Sequence, residues 1–268
     1  MPWLRRAIVR LGSDDPVMRG PLLAAFLVCV STLGGACQGP APSLPGRVAP
    51  LASRQALVVS SSGWSASGGR LQRWQRARGE GWHAVGEPIQ VSLGRSGMGW
   101  GMGLHRGAPG PSKREGDGRS PAGVFDLGDA FGYAAAPPAG VTVSYRAADE
   151  RDYYVDDVAS EDYNRWRRIP DGDANDPKAR WASCERMRRD DDLYELGMIV
   201  EHNADGVPGA GSAIFLHVWP GPESSTSGCT AMSRADLLVL LRWLDPQAAP
   251  VLIQAPRDEL RALQLARR

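Results

Sequence analysis

A histidine and a cysteine flank one short loop of this sequence, in the stretch IFLHVWPGPESSTSGCTAM at residues 214–232. Twelve positions separate His217 from Cys229. An imidazole beside a thiol can take up the thiol proton, and the resulting thiolate attacks carbonyl carbon atoms. The residue types and their spacing therefore predict acyl transfer, with Cys229 as the nucleophile and His217 as the general base and acid.

The residues around the cysteine are suited to hold a developing oxyanion. Gly228 has no side chain, so the backbone beside Cys229 can approach a substrate closely. Backbone N–H groups in such a position stabilise the negative charge of a tetrahedral intermediate. We therefore expect Ser227, Gly228 and Thr230 to form the oxyanion-binding surroundings together with Cys229.

The residue types alone leave other interpretations open. A cysteine is often a small buried apolar residue, and a histidine at the end of a strand can be structural. Cys184 and Cys229 could instead form a disulfide in an exported protein without catalytic activity. No metal site is predicted, because the histidines show neither an H-E-x-x-H motif nor a pairing with closely spaced cysteines: His83, His105, His202 and His217.

Short apolar runs bounded by turn residues predict the strands that must position this pair. They are residues 56–60, 141–145, 196–202, 212–218 and 250–254. A helix is predicted to start at Ser233, with Asp236 completing a capping box, and to end before Pro246. Residues 150–192 are predicted to form a long irregular excursion that shapes or covers a site. The sequence thus predicts a mainly β fold with sandwich-like packed sheets and a few short helices.

The charge balance excludes two classes of partner. The formal net charge is +1, and the sequence contains no long run of one sign. Proteins that wrap nucleic acid or lie on anionic membranes by electrostatic attraction carry clustered basic residues. We therefore expect no nucleic-acid partner, and membrane association only through the N-terminal segment.

That N-terminal segment has the layout of an export signal. Residues 21–33 are uncharged and mostly apolar, follow Arg19, and are too few to span a bilayer comfortably. We expect residues 1–37 to be a signal segment with Met18 as an alternative start, 38–48 a flexible linker, and 49–268 one catalytic domain. The run LGGAC resembles a bacterial lipobox ending at Cys37. The expected location is the bacterial periplasm or cell envelope, with free and Cys37-lipidated forms both open.

Two segments of the sequence resemble one enzyme family. HVWPGPESSTSGCTAM at residues 217–232 is similar to the catalytic signature of the L,D-transpeptidase (YkuD-like) family. KREGDGRSPAGVFDLGDAFG at residues 113–132 resembles the family's K-x-G-D-G-x-T-P-x-G-x-F segment. YYVDDVASEDYNRW and WASCERM also look like the longer, bacterial envelope branch. The His-to-Cys distance is shorter than in better-known members, and Thr230 and Ala231 stand where many relatives carry a hydrophobic residue and Arg.

The resemblance implies a function and roles for particular residues. Cys229 matches the nucleophile and His217 the general base and acid, while Gly228 and Ser227 match the two positions before the nucleophile. The implied reaction is acyl transfer on peptidoglycan stem peptides through a Cys229 thioester, without a cofactor. The implied acceptor is an amine, from a second stem peptide or a D-amino acid.

Several points remain open at this stage. The same pair could hydrolyse the thioester as an L,D-carboxypeptidase, or the domain could bind the cell wall without catalysis and carry a Cys184–Cys229 disulfide. Arg119, which could reach a carboxylate, and His202, which ends a neighbouring apolar run, are candidate substrate-binding residues. The aromatic residues of the excursion line an acceptor groove or, alternatively, fill a second small core: Tyr153, Tyr154, Tyr163, Trp166 and Trp181.

Overall fold

The computed structural model describes residues 48–78 and 80–263. All the described residues belong to one compact unit, within residues 40–268. The predicted export signal, Met18 and Cys37 lie outside the described residues, as does the predicted linker apart from its last residue, Val48. Within the described residues, no helix combines the length and the apolar character needed to cross a membrane.

Strands dominate the described part of the chain, which confirms the predicted mainly β class. One α-helix, α1 (Arg234–Trp243), and a few single 3₁₀ turns accompany them. The strands in chain order are β1 (Gln55–Ser61), β2 (Gly68–Gln75), β3 (His83–Ser92), β4 (Met98–Trp100), β5 (Ser120–Gly132), β6 (Tyr145–Ala147), β7 (Asp152–Val155), β8 (Arg165–Arg168), β9 (Cys184–Arg186), β10 (Leu196–Val200), β11 (Phe215–Val218), β12 (Thr230–Met232) and β13 (Val251–Pro256).

The larger of two sheets has ten strands and returns on itself. Neighbouring strands run in the order β10, β11, β12, β3, β2, β1, β13 and β5, and β5 also pairs with β10. The long β5 makes this possible, because residues 123–126 pair with β13 whereas most of the following residues pair with β10. The expected sandwich-like packing is thus a closed ring of paired strands, with β4 and β6 attached to β5.

Helix α1 follows β12 in the chain and packs against the apolar core of this ring. The Ser233 hydroxyl accepts a hydrogen bond from the Asp236 N–H at 3.1 Å, as the capping-box pattern predicts. Leu237, Leu240 and Leu241 recur on one face and are buried. The predicted helix is confirmed at both ends, since α1 stops three residues before Pro246.

The predicted irregular excursion is wrong in part, because it contains a second, three-stranded sheet. Strand β7 lies between β8 and β9 and is antiparallel to both. On one face, Tyr153 and Val155 pack with Ile169 and Trp181 in a small core. On the other face, the ring of Tyr154 contacts Phe215 of β11, with 5.0 Å between ring centroids. These strands were not predicted because most of their residues are charged, so that the sequence shows no clear alternation of apolar and polar positions.

The predicted strand at residues 141–145 is also wrong, since the observed strand, β6, starts only at Tyr145. Val143 is buried in the main core. Thr142 Oγ1 donates a hydrogen bond to the Leu244 carbonyl at 3.3 Å, next to the end of α1. This segment is apolar because it packs beneath the helix end, and not because it belongs to a sheet. The other predicted strands are confirmed with shifted ends, as β1, β10, β11 and β13.

Candidate active site

Cys229 and His217 project from neighbouring parallel strands into one cavity. In the ladder between β11 and β12, His217 pairs with Ala231, and Cys229 lies directly before β12. Alternate residues of a strand share a face, so Cys229 is on the same side as Ala231 and therefore as His217. Both side chains line a cavity of about 790 Å³. The sheet register, and not the loop between the two residues, brings them together.

The His217 ring is held in one orientation by a backbone carbonyl. Its Nδ1 lies 2.7 Å from the Val218 carbonyl oxygen, to which a protonated Nδ1 donates. That tautomer leaves Nε2 free of a proton and able to accept one. The Tyr194 ring lies edge-on to the imidazole, with 5.3 Å between centroids. Burial lowers the pKa of His217 to about 4, so the ring is neutral at pH 7.

The Cys229 thiol is buried in an environment that favours its protonated form. Its exposed fraction is 7%. The Phe215 N–H donates to Sγ at 3.3 Å, and the thiol can donate to the Ala213 carbonyl at 3.4 Å. Burial, reinforced by the Glu185 carboxylate, raises the pKa of Cys229 to about 12. The resting pair is therefore a neutral thiol and a neutral imidazole, and not a thiolate–imidazolium ion pair.

Two hydroxyl groups fix the backbone of the cysteine. Ser120 Oγ donates to the Cys229 carbonyl at 2.9 Å, and Thr226 Oγ1 donates to the same oxygen at 2.7 Å. Ser120 Oγ in turn accepts from the Gly94 N–H at 2.9 Å. Ser120 belongs to the segment 113–132, which is distant from Cys229 in sequence. This hydrogen bond joins the two segments that carry the family resemblance, because Ser120 of the first segment holds the backbone of Cys229 in the second.

Replacing Ser120 with alanine is expected to lower the free energy of unfolding by about 1–3 kcal/mol, because a buried donor and acceptor lose their partner. Ser120 is fully buried, so water cannot replace the hydroxyl without repacking. Ser120→Thr keeps the hydroxyl and is the matched control. Urea unfolding of the three proteins measures the difference. Equal stability of the alanine variant and the original protein would contradict the anchoring role.

The loop before the cysteine uses its polar groups internally. The Gly228 N–H donates to Thr226 Oγ1 at 3.1 Å, and Ser227 Oγ accepts from Arg95 Nη1 at 3.0 Å. A Cβ atom at Gly228 would lie 3.1 Å from the Arg119 carbonyl oxygen, which is a tight contact. The Gly228 amide, expected to bind an oxyanion, is therefore already engaged, while the Cys229 amide stays a candidate for that role.

Three other expected site residues lie away from the cavity. Thr230 faces the opposite side of β12 and donates from Oγ1 to Gln254 Oε1 at 2.6 Å. His202 is buried, accepts from the Met102 N–H at 3.1 Å and lies 3.1 Å from the Ala210 carbonyl through Nε2. Arg119 donates from Nη1 to the Met98 carbonyl at 2.8 Å. In these positions the three side chains support the fold, and none of them lines the cavity.

Charged residues that the sequence did not single out line the cavity instead. Lys113 is buried and forms an ion pair with Asp117 at 2.8 Å. It is the first residue of the segment 113–132, which was the available signal for it. Glu115 comes from the same segment. The remaining charged lining residues come from loops and short strands without a recognisable pattern: Arg95, Asp156, Glu185, Arg186, Arg189, Asp190 and Asp191. No group of three or more His, Cys, Asp or Glu side chains in the described ranges is arranged to hold a metal ion.

The Cys184–Cys229 disulfide is absent, and both residues are free cysteines. Cys184 pairs with Val155 in the second sheet, whereas Glu185 pairs with Tyr154. Paired residues share a face, so Cys184 belongs to the face that packs on the small core. The opposite face packs towards Cys229, and a disulfide would require the small sheet to rearrange.

The aromatic residues of the excursion fill cores. Tyr153 and Trp181 belong to the small core, and Tyr154 and Trp166 pack with Phe215 and Cys229 between the two sheets. The Tyr163 hydroxyl donates to Glu115 at 2.5 Å. None of these aromatic side chains lines the cavity, whereas charged residues of the same excursion do. These aromatic residues therefore fill cores, as the second sequence interpretation predicted, and do not line an acceptor groove.

Comparison with known proteins gives a family assignment. A family model described as the YkuD L,D-transpeptidase catalytic domain matches residues 69–253. No curated protein and no solved structure gives a significant match. The matched region covers more than half of the chain and contains most strands of the ring, although β1 lies before it. It also contains every residue that lines the cavity, including both members of the Cys–His pair. The chain therefore belongs to the family of YkuD L,D-transpeptidase catalytic domains.

Proposed function

We propose that the protein transfers the acyl group of a peptidoglycan stem peptide to an amine, through a thioester on Cys229. The family acts on peptidoglycan stem peptides, which supplies the substrate class. The observation that carries the proposal is the placement of Cys229 and His217 on one face of adjacent strands, in one cavity. A thiol, a base and a space for substrate are the parts that acyl transfer requires.

The neutral resting pair supports a general-base mechanism. Nε2 of His217 takes the Sγ proton as sulfur attacks the substrate carbonyl carbon, and the Cys229 N–H is the candidate donor to the oxyanion. Collapse of the tetrahedral intermediate breaks the C–N bond, and the imidazolium returns the proton to the leaving amine. The acceptor amine then attacks the thioester, His217 takes its surplus proton, and the departing sulfur receives that proton.

Transfer and hydrolysis differ only in the group that reaches the thioester. Sheltering of the thioester from water favours transfer, and here the second sheet packs beside the thiol, which is itself buried. We therefore place transpeptidation ahead of L,D-carboxypeptidase activity by the same pair.

Incubation of the purified protein with tetrapeptide muropeptides and an excess of D-amino acid tests this order. Cross-linked dimers or exchanged D-amino acids, detected by mass, are the expected products. Tripeptides alone, formed in the presence of abundant acceptor, would identify a hydrolase.

We also propose that the protein is exported to the bacterial cell envelope. The support is the apolar run at residues 21–33 and the LGGAC sequence ending at Cys37. The mature chain is expected to begin near residues 34–37, and a diacylglyceryl group on Cys37 would identify a lipoprotein. Mass spectrometry of the protein from its native cells measures both. A cytoplasmic protein with unmodified residues 33–37 intact would contradict export.

A further inference from the structure

One wall of the catalytic cavity presents a carboxylate to the thiol. Glu185 pairs with Tyr154 in the second sheet, so its side chain lies on the face that packs towards Phe215 and Cys229. Glu185 and Cys229 both line the cavity. The Tyr194 hydroxyl donates to Glu185 Oε2, which fixes the carboxylate while leaving its second oxygen outside that bond.

A second carboxylate beside Glu185 has an unused acceptor atom. Asp156 directly follows β7 and lines the same cavity. Its Oδ1 is buried and accepts no hydrogen bond from any residue that the structure describes. Buried polar atoms nearly always have partners, so an orphan at the wall of a catalytic cavity marks a place where a ligand can donate. Arg189 also lines the cavity, but its guanidinium binds both oxygens of Asp191, at 2.9 and 2.8 Å.

The Glu185 carboxylate disfavours the thiolate form of Cys229. Burial raises the pKa of the Glu185 carboxyl, and Asp156 adds to that shift. Glu185 in turn contributes to the raised pKa of Cys229. Lys113 acts on the thiol in the opposite direction, but Asp117 pairs with it at 2.8 Å. A ligand cation beside Glu185 would offset its negative charge and so favour the thiolate.

We infer that Glu185, assisted by Asp156, binds a primary ammonium group of the peptidoglycan substrate beside Cys229. An ammonium carries three N–H donors, and the unused oxygens of these two carboxylates are complementary to it. An ammonium of the donor stabilises the sulfur anion both when sulfur attacks the donor carbonyl and when it leaves the thioester. An ammonium of the acceptor is held beside the thioester, gives one proton to the Glu185 carboxylate, and attacks as the neutral amine. The inference rests on the proposed function, because the ammonium belongs either to the donor stem peptide or to the acceptor amine.

The donor source is tested with two tetrapeptide donors that differ only in the side-chain amine of the third residue, free in one and N-acetylated in the other. Release of the terminal D-amino acid gives kcat/KM for each donor, with the full chain and its Glu185→Gln variant. If the donor supplies the ammonium, the original protein prefers the free amine by about tenfold or more. Glu185→Gln removes that preference.

The acceptor source is tested by partitioning the acyl-enzyme between two nucleophiles at pH 7. D-Alaninamide is largely an ammonium at this pH, whereas hydroxylamine is largely uncharged. If the acceptor supplies the ammonium, Glu185→Gln lowers the use of D-alaninamide relative to hydroxylamine by about tenfold. Product masses report the ratio directly, so a general loss of activity does not change it.

Two further variants separate binding from folding. Asp190→Asn removes an exposed carboxylate at the rim of the same cavity and is expected to leave both ratios unchanged. Asp156→Asn is expected to weaken the same preference as Glu185→Gln, and it replaces that variant if the latter does not fold.

The outcomes distinguish this inference from the proposed function. Loss of either preference in Glu185→Gln supports the inference and identifies the source of the ammonium. Preferences that are unchanged in Glu185→Gln and Asp156→Asn, or absent from the original protein, overturn it. Failure of the original protein to form an acyl-enzyme with either donor would instead overturn the proposed function.

Discussion

Replacement of Cys229 by alanine is expected to abolish the acyl-enzyme and to lower the rate of transfer by about 10⁴-fold or more, because no other nucleophile replaces the thiol. The fold is expected to remain, since alanine fits the space and the Cys229 carbonyl keeps its bonds to Ser120 and Thr226. Intact mass after incubation with a tetrapeptide donor detects the acyl-enzyme, and circular dichroism checks the fold.

Cys184→Ala is the matched control for this prediction. Cys184 also lines the cavity, but it pairs with Val155 on the face of its sheet that packs on the small core. Its replacement is therefore expected to leave most of the activity. A similar loss of activity in both variants would show that the two cysteines act together, and it would contradict the role of Cys229 as the sole nucleophile.

Replacement of His217 by alanine is expected to lower the rate of acylation by about 10²–10⁴-fold, the usual contribution of general acid–base catalysis. The thiol pKa of about 12 means that very little thiolate forms at pH 7 without a base. Single-turnover release of the terminal D-amino acid measures the step. His83→Ala, at an exposed histidine of β3, is the control and is expected to retain the original rate.

The pH dependence gives an independent check on the same residue. Burial lowers the pKa of His217 from 6.5 to about 4. The imidazole therefore stays neutral as the pH falls, and it becomes protonated only when the pH approaches about 4. kcat/KM is therefore expected to show its acid limb near pH 4. An inflection near 6.5 would mean that the catalytic base is a solvated histidine, and the assignment to His217 would then be incorrect.

The sequence was sufficient to predict the parts of the site that depend on local pattern. An apolar run ending near His217 and a capped helix after Cys229 are local signals, and both elements are present as β11 and α1. Side-chain alternation on neighbouring strands then places the two residues on one face. The class of fold follows from the same signals, because the chain contains many short apolar runs and one amphipathic helix.

The remaining features depend on the register between distant strands, which has no local signature. Whether Glu185 or Cys184 faces the thiol is decided by its pairing with β7, and a shift of one residue would exchange them. His202 follows an apolar run, as His217 does, but β10 ends at Val200 and His202 bonds to Met102 and Ala210 outside the cavity. Ser120 was not singled out because its partner, the Cys229 carbonyl, lies more than a hundred residues away in the chain.

The burial of the protonated thiol has a consequence for the chemical durability of the protein. Peroxide converts cysteine to sulfenic acid by reaction with the thiolate, and further oxidation to the sulfonic acid is irreversible. Cys229 is protonated and only 7% exposed, so it offers little thiolate to a small oxidant. Cys184 is more exposed, although burial and nearby carboxylates raise its pKa as well. Burial of the protonated thiol is therefore expected to slow oxidation of the nucleophile.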